Sequence, residues 1–446
     1  MVEPTSKKRK TKIDDHQHDH DLEKAVAEPE SNGSAATAVG AKFMSNIVTD
    51  DLLLEILIRL PDCRSILQCS SVCKSWFSVI SYRQYFIRTK FIDHYQHKPQ
   101  FLPCTLMVKY NYISTIDKKP FYKLFSEQSK ILHGKSSSFT SGYLSILPSP
   151  SPSVITRGSS KDLLLFSSSI TEYYVCNPLT NQWLPLPKTP PNSTIRCGIV
   201  CDPKSTSVNT MYRVVLIYAD ISLANQFKVS MNIFCSKTGQ WNTSTLLLPL
   251  NPLILWRSSV GWHRRAVASN GILYWLCGNN RESEGIVAFD PFKSTDCSKR
   301  FCLIPFPIGF RRGWRGQDSN LCIGVVQGRL RLSQIYRGIK RVLGFVLRIW
   351  ELVNCDYDND DASWLLVHDV TLTEVKANKM FVAAFHPVNG DVIFLFHDLD
   401  VCQYHIREDT VEIVEEFSKL NDCGYLDAIS LVHPLWPTTI PSLPSI

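Results

Sequence analysis

The sequence lacks any apolar stretch long enough to span a bilayer, and its first residues are charged where a secretory signal peptide is apolar. Its 15 cysteines are an odd number and include no Cys-x-x-Cys pair, which argues against a disulfide framework and against a zinc ribbon. We therefore expect a soluble protein of a reducing, intracellular compartment, in which the cysteines are small buried apolar residues and no metal is bound.

Motifs of catalysis are missing as well. The chain has no nucleophile elbow, no phosphate-binding loop, no His-Glu-x-x-His helix and no kinase signature. Chemistry between a cysteine and a histidine brought together by folding stays open, because the chain holds 15 Cys and 12 His. We expect no cofactor and no intrinsic catalysis.

The composition indicates a protein that is folded over most of its length. Its 446 residues suffice for two or three domains, and 44% apolar residues with 11% aromatic residues supply a large core. The net charge of +7 is modest and does not by itself imply a nucleic-acid interface. Residues 1–42 contain few core-forming side chains, so they are predicted to be a disordered tail.

A short basic run in this tail resembles a one-part nuclear localisation signal. Lys and Arg side chains on flexible backbone suit an acidic groove on an import receptor, so we expect the nucleus, with the cytoplasm as a second location. The alternative is a plain solvated charge run. The signal residues would be Lys7, Lys8, Arg9, Lys10 and Lys12.

Residues 46–86 predict a small helical unit that is completed by a partner. Thr49 is a competent N-cap, and Pro61 stops the first helix after Leu60. Leu54 and Ile58 form a second apolar surface, which a unit of about forty residues has no core to cover. These two residues lie off the main apolar stripe on one face, which consists of Leu52, Leu53, Ile56, Leu57 and Leu60.

Two further short helices are predicted at 65–72 and 74–80, which makes a three-helix unit. The order Leu-Leu, Ile-Leu, Arg-Leu-Pro, followed by Val-Cys-Lys-Ser-Trp at 72–76, resembles the F-box. The F-box is the segment through which substrate receptors bind the Skp adaptor of cullin-type ubiquitin ligases. Val48-Thr49 stands where the family usually has Leu-Pro, so a proline that often contacts the adaptor is missing. The alternative is a helical hairpin that packs on its own domain.

The resemblance implies which side chains contact the adaptor. They are Ile47, Leu52, Leu53, Ile56, Leu57, Leu60, Pro61, Leu67, Val72 and Trp76.

From about residue 100 onward, short apolar or alternating runs recur between turn residues, which is typical of many short β-strands. Tyr173, Met231, Ile286, Leu347 and Val401 begin equivalent strands, and their numbers differ by 58, 55, 61 and 54. Each of these strands follows another predicted strand, and in most repeats an innermost strand comes before both. In the two clearest repeats, Trp183 and Trp241 begin the fourth strand. Four strands per repeat of this length predict a β-propeller. A β-sandwich is the alternative, but the β-region is too long for one.

We expect about six blades, with residues 101–150 forming an irregular first blade and 425–432 returning to close the ring. The fold class is therefore α+β: a three-helix F-box followed by an all-β propeller. The predicted domains are 1–42 (tail), 43–90 (F-box), 91–435 (propeller) and 436–446 (Pro-rich tail). The phrase Asn-Pro-Leu-Thr at 177–180, followed by Trp183, resembles F-box-associated and kelch-like propellers of plant proteins.

Two Arg/Trp-rich segments are the candidates for contact with a target, since loops on a rigid scaffold carry recognition and these residue types are enriched in hot spots. The residues are Trp256, Trp262, His263, Arg311, Arg312, Trp314 and Arg315. The resemblance implies a receptor that holds the Skp adaptor, and through it a cullin-RING ligase, and brings a target protein to ubiquitin. The alternative is a non-catalytic nuclear propeller scaffold; membrane contact is not expected, and nucleic-acid binding is not favoured.

Overall fold

The structure, a computed structural model, describes sixteen stretches of the chain. They are residues 49–95, 103–112, 121–126, 154–180, 182–189, 194–205, 210–219, 228–247, 265–278, 283–293, 300–310, 321–338, 344–356, 361–372, 377–420 and 424–440. Among these residues no helix is long and apolar enough to cross a membrane.

Four helices form the N-terminal part, which we call the helical module (residues 49–95). They are α1 Asp50–Leu57, α2 Cys63–Cys69, α3 Lys74–Tyr82 and α4 Gln84–Tyr95. Thr49 caps α1 as predicted, because its side chain accepts a hydrogen bond from the Leu52 amide at 3.3 Å. Asp62 caps α2 in the same way, with 2.7 Å between its Oδ1 and the Ser65 amide nitrogen.

The helical module differs from the sequence prediction in two respects. Helix α1 ends at Leu57 rather than Leu60, because the amides of Arg59 and Leu60 bond carbonyls three residues back and tighten the chain into turns before Pro61. Helix α4 was not predicted, so the module has four helices instead of three and extends to Tyr95, beyond the predicted boundary at residue 90.

Within the described stretches, twenty-three strands follow. Blades 1 to 3 comprise β3 Ile155–Ser160, β4 Leu163–Ser167, β5 Tyr173–Asn177 and β6 Gln182–Pro185; β7 Thr194–Cys201, β8 Tyr212–Ala219, β9 Lys228–Cys235 and β10 Gln240–Leu247; and β11 Ala266–Ser269, β12 Ile272–Gly278, β13 Ser283–Phe289 and β14 Phe301–Ile304. Blades 4 and 5 comprise β15 Leu321–Val326, β16 Arg329–Arg337, β17 Phe345–Asp356 and β18 Asp361–Leu372; and β19 Met380–Phe385, β20 Val392–His397, β21 Asp400–His405 and β22 Thr410–Glu416, which is followed by a 3-10 turn, Phe417–Leu420. In each of these five blades, successive strands pair antiparallel and the first strand is innermost.

Blade 6 is assembled from both ends of the β-region. Its inner strand is β23 Gly424–Val432, which pairs antiparallel with β1 Cys104–Tyr112, and β1 in turn pairs with β2 Phe121–Ser126. The C-terminal strand therefore closes the ring onto the N-terminal ones. The predicted propeller, its six blades and the returning strand are confirmed.

The ring has two faces, which we call lower and upper. On the lower face the inner strands end, and hydrogen bonds link neighbouring turns: the Cys201 amide to Ser160 Oγ at 3.0 Å, Ser269 Oγ to the Gly328 carbonyl at 2.7 Å, and the Gln327 amide to the Pro387 carbonyl at 2.8 Å. On the upper face the inner strands begin. The chain enters β1 and leaves β23 on the lower face, where Cys104 pairs with Val432.

Tryptophans of the outermost strands join neighbouring blades. The indole of Trp241 in blade 2 donates to the carbonyl of Pro187, just after blade 1, at 2.8 Å. The indole of Trp364 in blade 4 donates to the carbonyl of Pro305, just after blade 3, at 2.9 Å. Trp183 packs on a cluster shared by blades 6 and 1. The interpretation of Trp183 and Trp241 as packing residues between blades is confirmed.

The inner strands leave a central channel of about 1100 Å³. Strand β7 does not line it, because β3 and β11 pair directly with each other, Ala266 with Gly158. Strand β11 also lies so close to β7 that position 198 must be a glycine, since a Cβ there would lie 2.6 Å from the Ala266 side chain.

Candidate functional site

Helix α1 divides its leucines between two faces. Leu53 and Leu57 are 2% and 0% exposed and pack inside the helical module, together with Leu54 at 5%. Leu52 and Ile56 are 49% and 43% exposed. The predicted assignment of the two faces is therefore wrong: the uncovered apolar surface carries Leu52 and Ile56, whereas Leu54 belongs to the core.

The core of the module draws on all four helices. Besides the three leucines of α1 it contains Ile66, Val79, Ile80, Ile87, Phe91 and Trp436. Leu60 and Trp76 are partly buried and pack against this core. Of the ten predicted adaptor contacts, Leu53 and Leu57 are thus removed from the surface, because their side chains stabilise the module itself.

Further apolar side chains of the module face solvent. Leu67 on α2 is 45% exposed, Val72 in the following turn is 62% exposed, and Pro61 is exposed too. Four aromatic residues on α3 and α4 are exposed as well but were not predicted as contacts; their spacing along the helices is the signal that could have indicated them. They are Phe77, Tyr82, Tyr85 and Phe86. Ile47 lies outside the described residues.

The turn that carries Pro61 is held from α4. The Tyr95 hydroxyl lies 3.0 Å from the Arg59 carbonyl oxygen and 2.9 Å from the Leu60 carbonyl oxygen, two groups that the end of α1 leaves without helical partners. Arg59 also pairs with Glu55 one turn back, and Arg83 pairs with Asp51 at 3.5 Å. These exposed pairs frame the apolar residues of α1 with charge of both signs.

The module contains a buried thiol with a raised pKa. Burial, together with the neighbouring charge of Asp62, raises the pKa of the Cys63 thiol to about 11, so this thiol is protonated at neutral pH and is a poor nucleophile. Across the described stretches, no group of three or more His, Cys, Asp and Glu side chains could hold a metal ion. None of the 13 described cysteines forms a disulfide with another described cysteine.

The residues predicted for target contact and for nuclear import lie outside the described stretches. The target candidates fall in 251–264 and 311–320, and the basic run falls in 1–48. The described strands on either side of the two target segments end and begin on the upper face: β10 and β11 around the first, β14 and β15 around the second. Arg265, at the start of β11, forms an ion pair with Asp427.

Comparison with known proteins gives matches for both parts of the chain. The family described as F-box protein At3g26010-like, beta-propeller matches residues 133–430, and the F-box-like family matches residues 50–92. F-box protein At3g26010 of Arabidopsis thaliana is 25% identical over 365 residues, which is 78% of this chain and 74% of that protein. A second Arabidopsis thaliana relative, whose name includes F-box/kelch-repeat protein, is 22% identical over 407 residues, 85% of this chain and 84% of that protein.

Among solved structures, a glucose dehydrogenase is similar at 12% identity with a TM-score of 0.31, over 59% of this chain and 89% of that one. A similarity of this size bears on neither fold nor function.

Proposed function

The chain belongs to the family of F-box proteins with an At3g26010-like β-propeller, and from that membership we propose that it is the target-recognition subunit of a Skp–cullin–F-box ubiquitin ligase. In this proposal the helical module binds a Skp-type adaptor, and through the adaptor a cullin with its RING subunit. The propeller binds the protein that is to be ubiquitinated.

One observation carries the proposal. Helix α1 buries Leu53 and Leu57 in its own core and leaves Leu52 and Ile56, one residue away from each, in water. Burying such side chains is favourable by about 1.5–3 kcal/mol each. With Leu67 and Val72 also exposed, the module offers a partner protein a substantial apolar contact.

The orientation of the two parts suits delivery of a bound protein. Both covalent connections of the propeller to the rest of the described chain lie on its lower face, at Cys104 and Val432. The upper face is therefore turned away from the adaptor side. We propose that it takes the target, through the segments that carry Trp256, Trp262, His263, Arg311, Arg312, Trp314 and Arg315.

The proposed mechanism is positional. A target held on the propeller keeps its lysines near the ubiquitin-charged enzyme at the far end of the complex, and the rate gain comes from effective concentration. The chain needs no catalytic residue for this role. We further propose nuclear import through Lys7, Lys8, Arg9, Lys10 and Lys12, which gives the receptor access to nuclear targets.

Direct titration of the purified chain with a purified Skp-type adaptor tests the proposal. The double variant Leu52→Asp, Ile56→Asp is expected to lose at least about a hundredfold in affinity, because two apolar contacts are replaced by charges that must be desolvated. The matched control is Leu365→Asp, since Leu365 is 54% exposed on blade 4. Equal affinity of the double variant and the wild type would contradict adaptor docking by this face.

A further inference from the structure

The segment after the last blade, residues 433–440, contacts three different parts of the molecule, and we call it the strap. It leaves blade 6 at His433, whose amide donates to the Pro103 carbonyl at 3.0 Å and whose Nε2 lies 2.6 Å from Thr105 Oγ1. These contacts hold the start of the strap beside β1, the strand that follows the helical module in the chain.

The middle of the strap enters the core of the helical module. Trp436 is 6% exposed and belongs to the same apolar cluster as Leu53, Leu57 and Phe91, while Leu435 packs on its rim. The rings of Trp436 and Phe91 are 6.0 Å apart in an edge-to-face arrangement, and Phe91 also contacts Tyr95. A side chain from the far end of the sequence thus fills the core of the docking module.

The end of the strap is fixed on blade 1 by buried polar groups. The Thr438 amide donates to Asp162 Oδ2 at 2.7 Å, and the Thr438 carbonyl accepts a hydrogen bond from Asn177 Nδ2 at 2.5 Å. Asn177 also donates to Asp162 Oδ2 at 2.7 Å. All three residues are almost fully buried, where hydrogen bonds of this kind are costly to break.

Two more contacts extend this attachment. The Ile440 amide donates to Gln182 Oε1 at 3.0 Å, and the Ile440 side chain packs on the cluster between blades 1 and 2. The charge of Asp162 also acts on Arg88 of α4: burial lowers the pKa of Arg88, and Asp162 opposes that shift. The strap, blade 1 and the helical module therefore meet at one joint.

We propose that the strap locks the helical module to the lower face of the propeller, with Trp436 completing the core of the module and Thr438 pinning the strap to Asp162 and Asn177. The Asn-Pro-Leu-Thr motif at 177–180 then has a structural role, since its buried asparagine donates a hydrogen bond to the backbone of the strap. In this proposal residues 436–440, which the sequence places in a Pro-rich tail, are a structural element of the docking module.

The lock would hold the adaptor and the target at a fixed separation, and this consequence rests on the proposed adaptor docking. The contacts of the strap do not depend on that proposal. Because blade 1 holds the strap in place, Trp436 reaches its site as an intramolecular partner at high effective concentration. A detached strap would leave the module with an unfilled core and a free hinge to β1.

Hydrogen–deuterium exchange of the full chain, measured without any adaptor, tests the lock. Three altered chains are compared with the wild type: one that stops after Pro434, Trp436→Ala, and Thr438→Pro, which has no amide hydrogen for Asp162. A chain that stops after Pro441 is the matched control, because it is also shortened but keeps the strap. The readout is the exchange rate of the α4 amides, with strand β8 as internal reference.

In the first two variants the α4 amides are expected to exchange roughly a hundredfold faster, as for loss of a large aromatic from a core. In Thr438→Pro we expect about a tenfold increase, since Trp436 is kept but no longer held in place. The control and β8 should stay at the wild-type rates. The proposal is overturned if α4 exchanges at the wild-type rate in Trp436→Ala, or if the control or β8 changes as much as α4 does.

An adaptor titration of the same chains separates this inference from the proposed function. Loss of adaptor affinity in Trp436→Ala along with faster exchange supports both. Faster exchange in a protein that binds no adaptor even as wild type supports the lock and contradicts the proposed function. Unchanged exchange with normal adaptor binding contradicts the lock alone.

Discussion

The propeller and the helical module complete their cores in different ways. In the propeller, each blade is covered by the next, the tryptophans at 241 and 364 bond across the gaps, and β23 closes the ring onto β1. In the module, Leu52, Ile56, Leu67 and Val72 remain in water, and the core is filled only when Trp436 arrives from the C-terminal end. The blades of the propeller thus cover one another, whereas the core of the module is completed by a side chain from the far end of the sequence.

The comparison is sharpest within α1, and breaking its buried side gives the largest effect. Leu57→Asp places a charge at a position that is fully buried, so we expect a loss of about 4 kcal/mol or more in the free energy of unfolding of the module. Thermal unfolding followed by circular dichroism at the helical wavelengths measures it. Wild-type stability in this variant would show that the core of the module is not where the structure has it.

Changes at the blade contacts should cost less. Trp241→Phe removes the indole N–H that the Pro187 carbonyl accepts, and we expect a loss of about 1–2 kcal/mol. Trp364→Phe at the equivalent bond to Pro305 should cost a similar amount. Urea unfolding followed by a propeller signal gives both values, and a negligible loss at either site would mean that the bond does not stabilise the ring.

The contact between blades 4 and 5 contributes to the free energy of unfolding in a pH-dependent way. Burial tends to raise the pKa of Glu351, but hydrogen bonds and charge from Arg329 and Arg331 outweigh it and hold the pKa below its ordinary value of 4.5. Arg331 in turn donates to the Gly390 carbonyl of blade 5 at 2.7 Å.

Since the folded pKa is depressed, the stabilisation by Glu351 is present above pH 4.5 and is lost as the pH falls through the folded value. Glu351→Gln should therefore cost about 1 kcal/mol at pH 7 and nothing once wild-type Glu351 is protonated. Urea unfolding across pH 3 to 7 compares the two chains. A difference that does not shrink with acid would contradict the ion pair as its source.

The smallest change in stability is expected on the exposed side of α1. Leu52→Asp alters a half-exposed side chain that no core contact holds, so the free energy of unfolding should stay within about 0.5 kcal/mol of wild type. The same unfolding experiment as for Leu57→Asp measures it. A loss as large as that of Leu57→Asp would erase the distinction between the two faces.

Local patterns predicted much of this architecture. The Thr49 cap is local hydrogen bonding, and the propeller follows from a recurring strand period whose last strand returns to the first. Which face of α1 is buried could not be predicted, because apolar residues occupy six of the seven positions from 52 to 58. The pattern therefore does not indicate which of them face the core.

The contacts of the strap could not be predicted from the sequence for a different reason. Trp436 contacts Phe91, which lies 345 positions earlier in the sequence, and neither residue carries a local signal for the other. Asn177 was singled out as part of a family phrase, but its bond to the Thr438 carbonyl depends on the closed ring, which only the tertiary structure provides.

The most direct measurement is calorimetric titration of the chain with a Skp-type adaptor at several temperatures. We predict binding with a negative heat-capacity change, since Leu52, Ile56, Leu67 and Val72 leave water, and a smaller change in magnitude for any complex that Leu52→Asp, Ile56→Asp still forms. No binding, or binding whose heat-capacity change is the same with and without these two side chains, would contradict adaptor docking by the exposed face of α1.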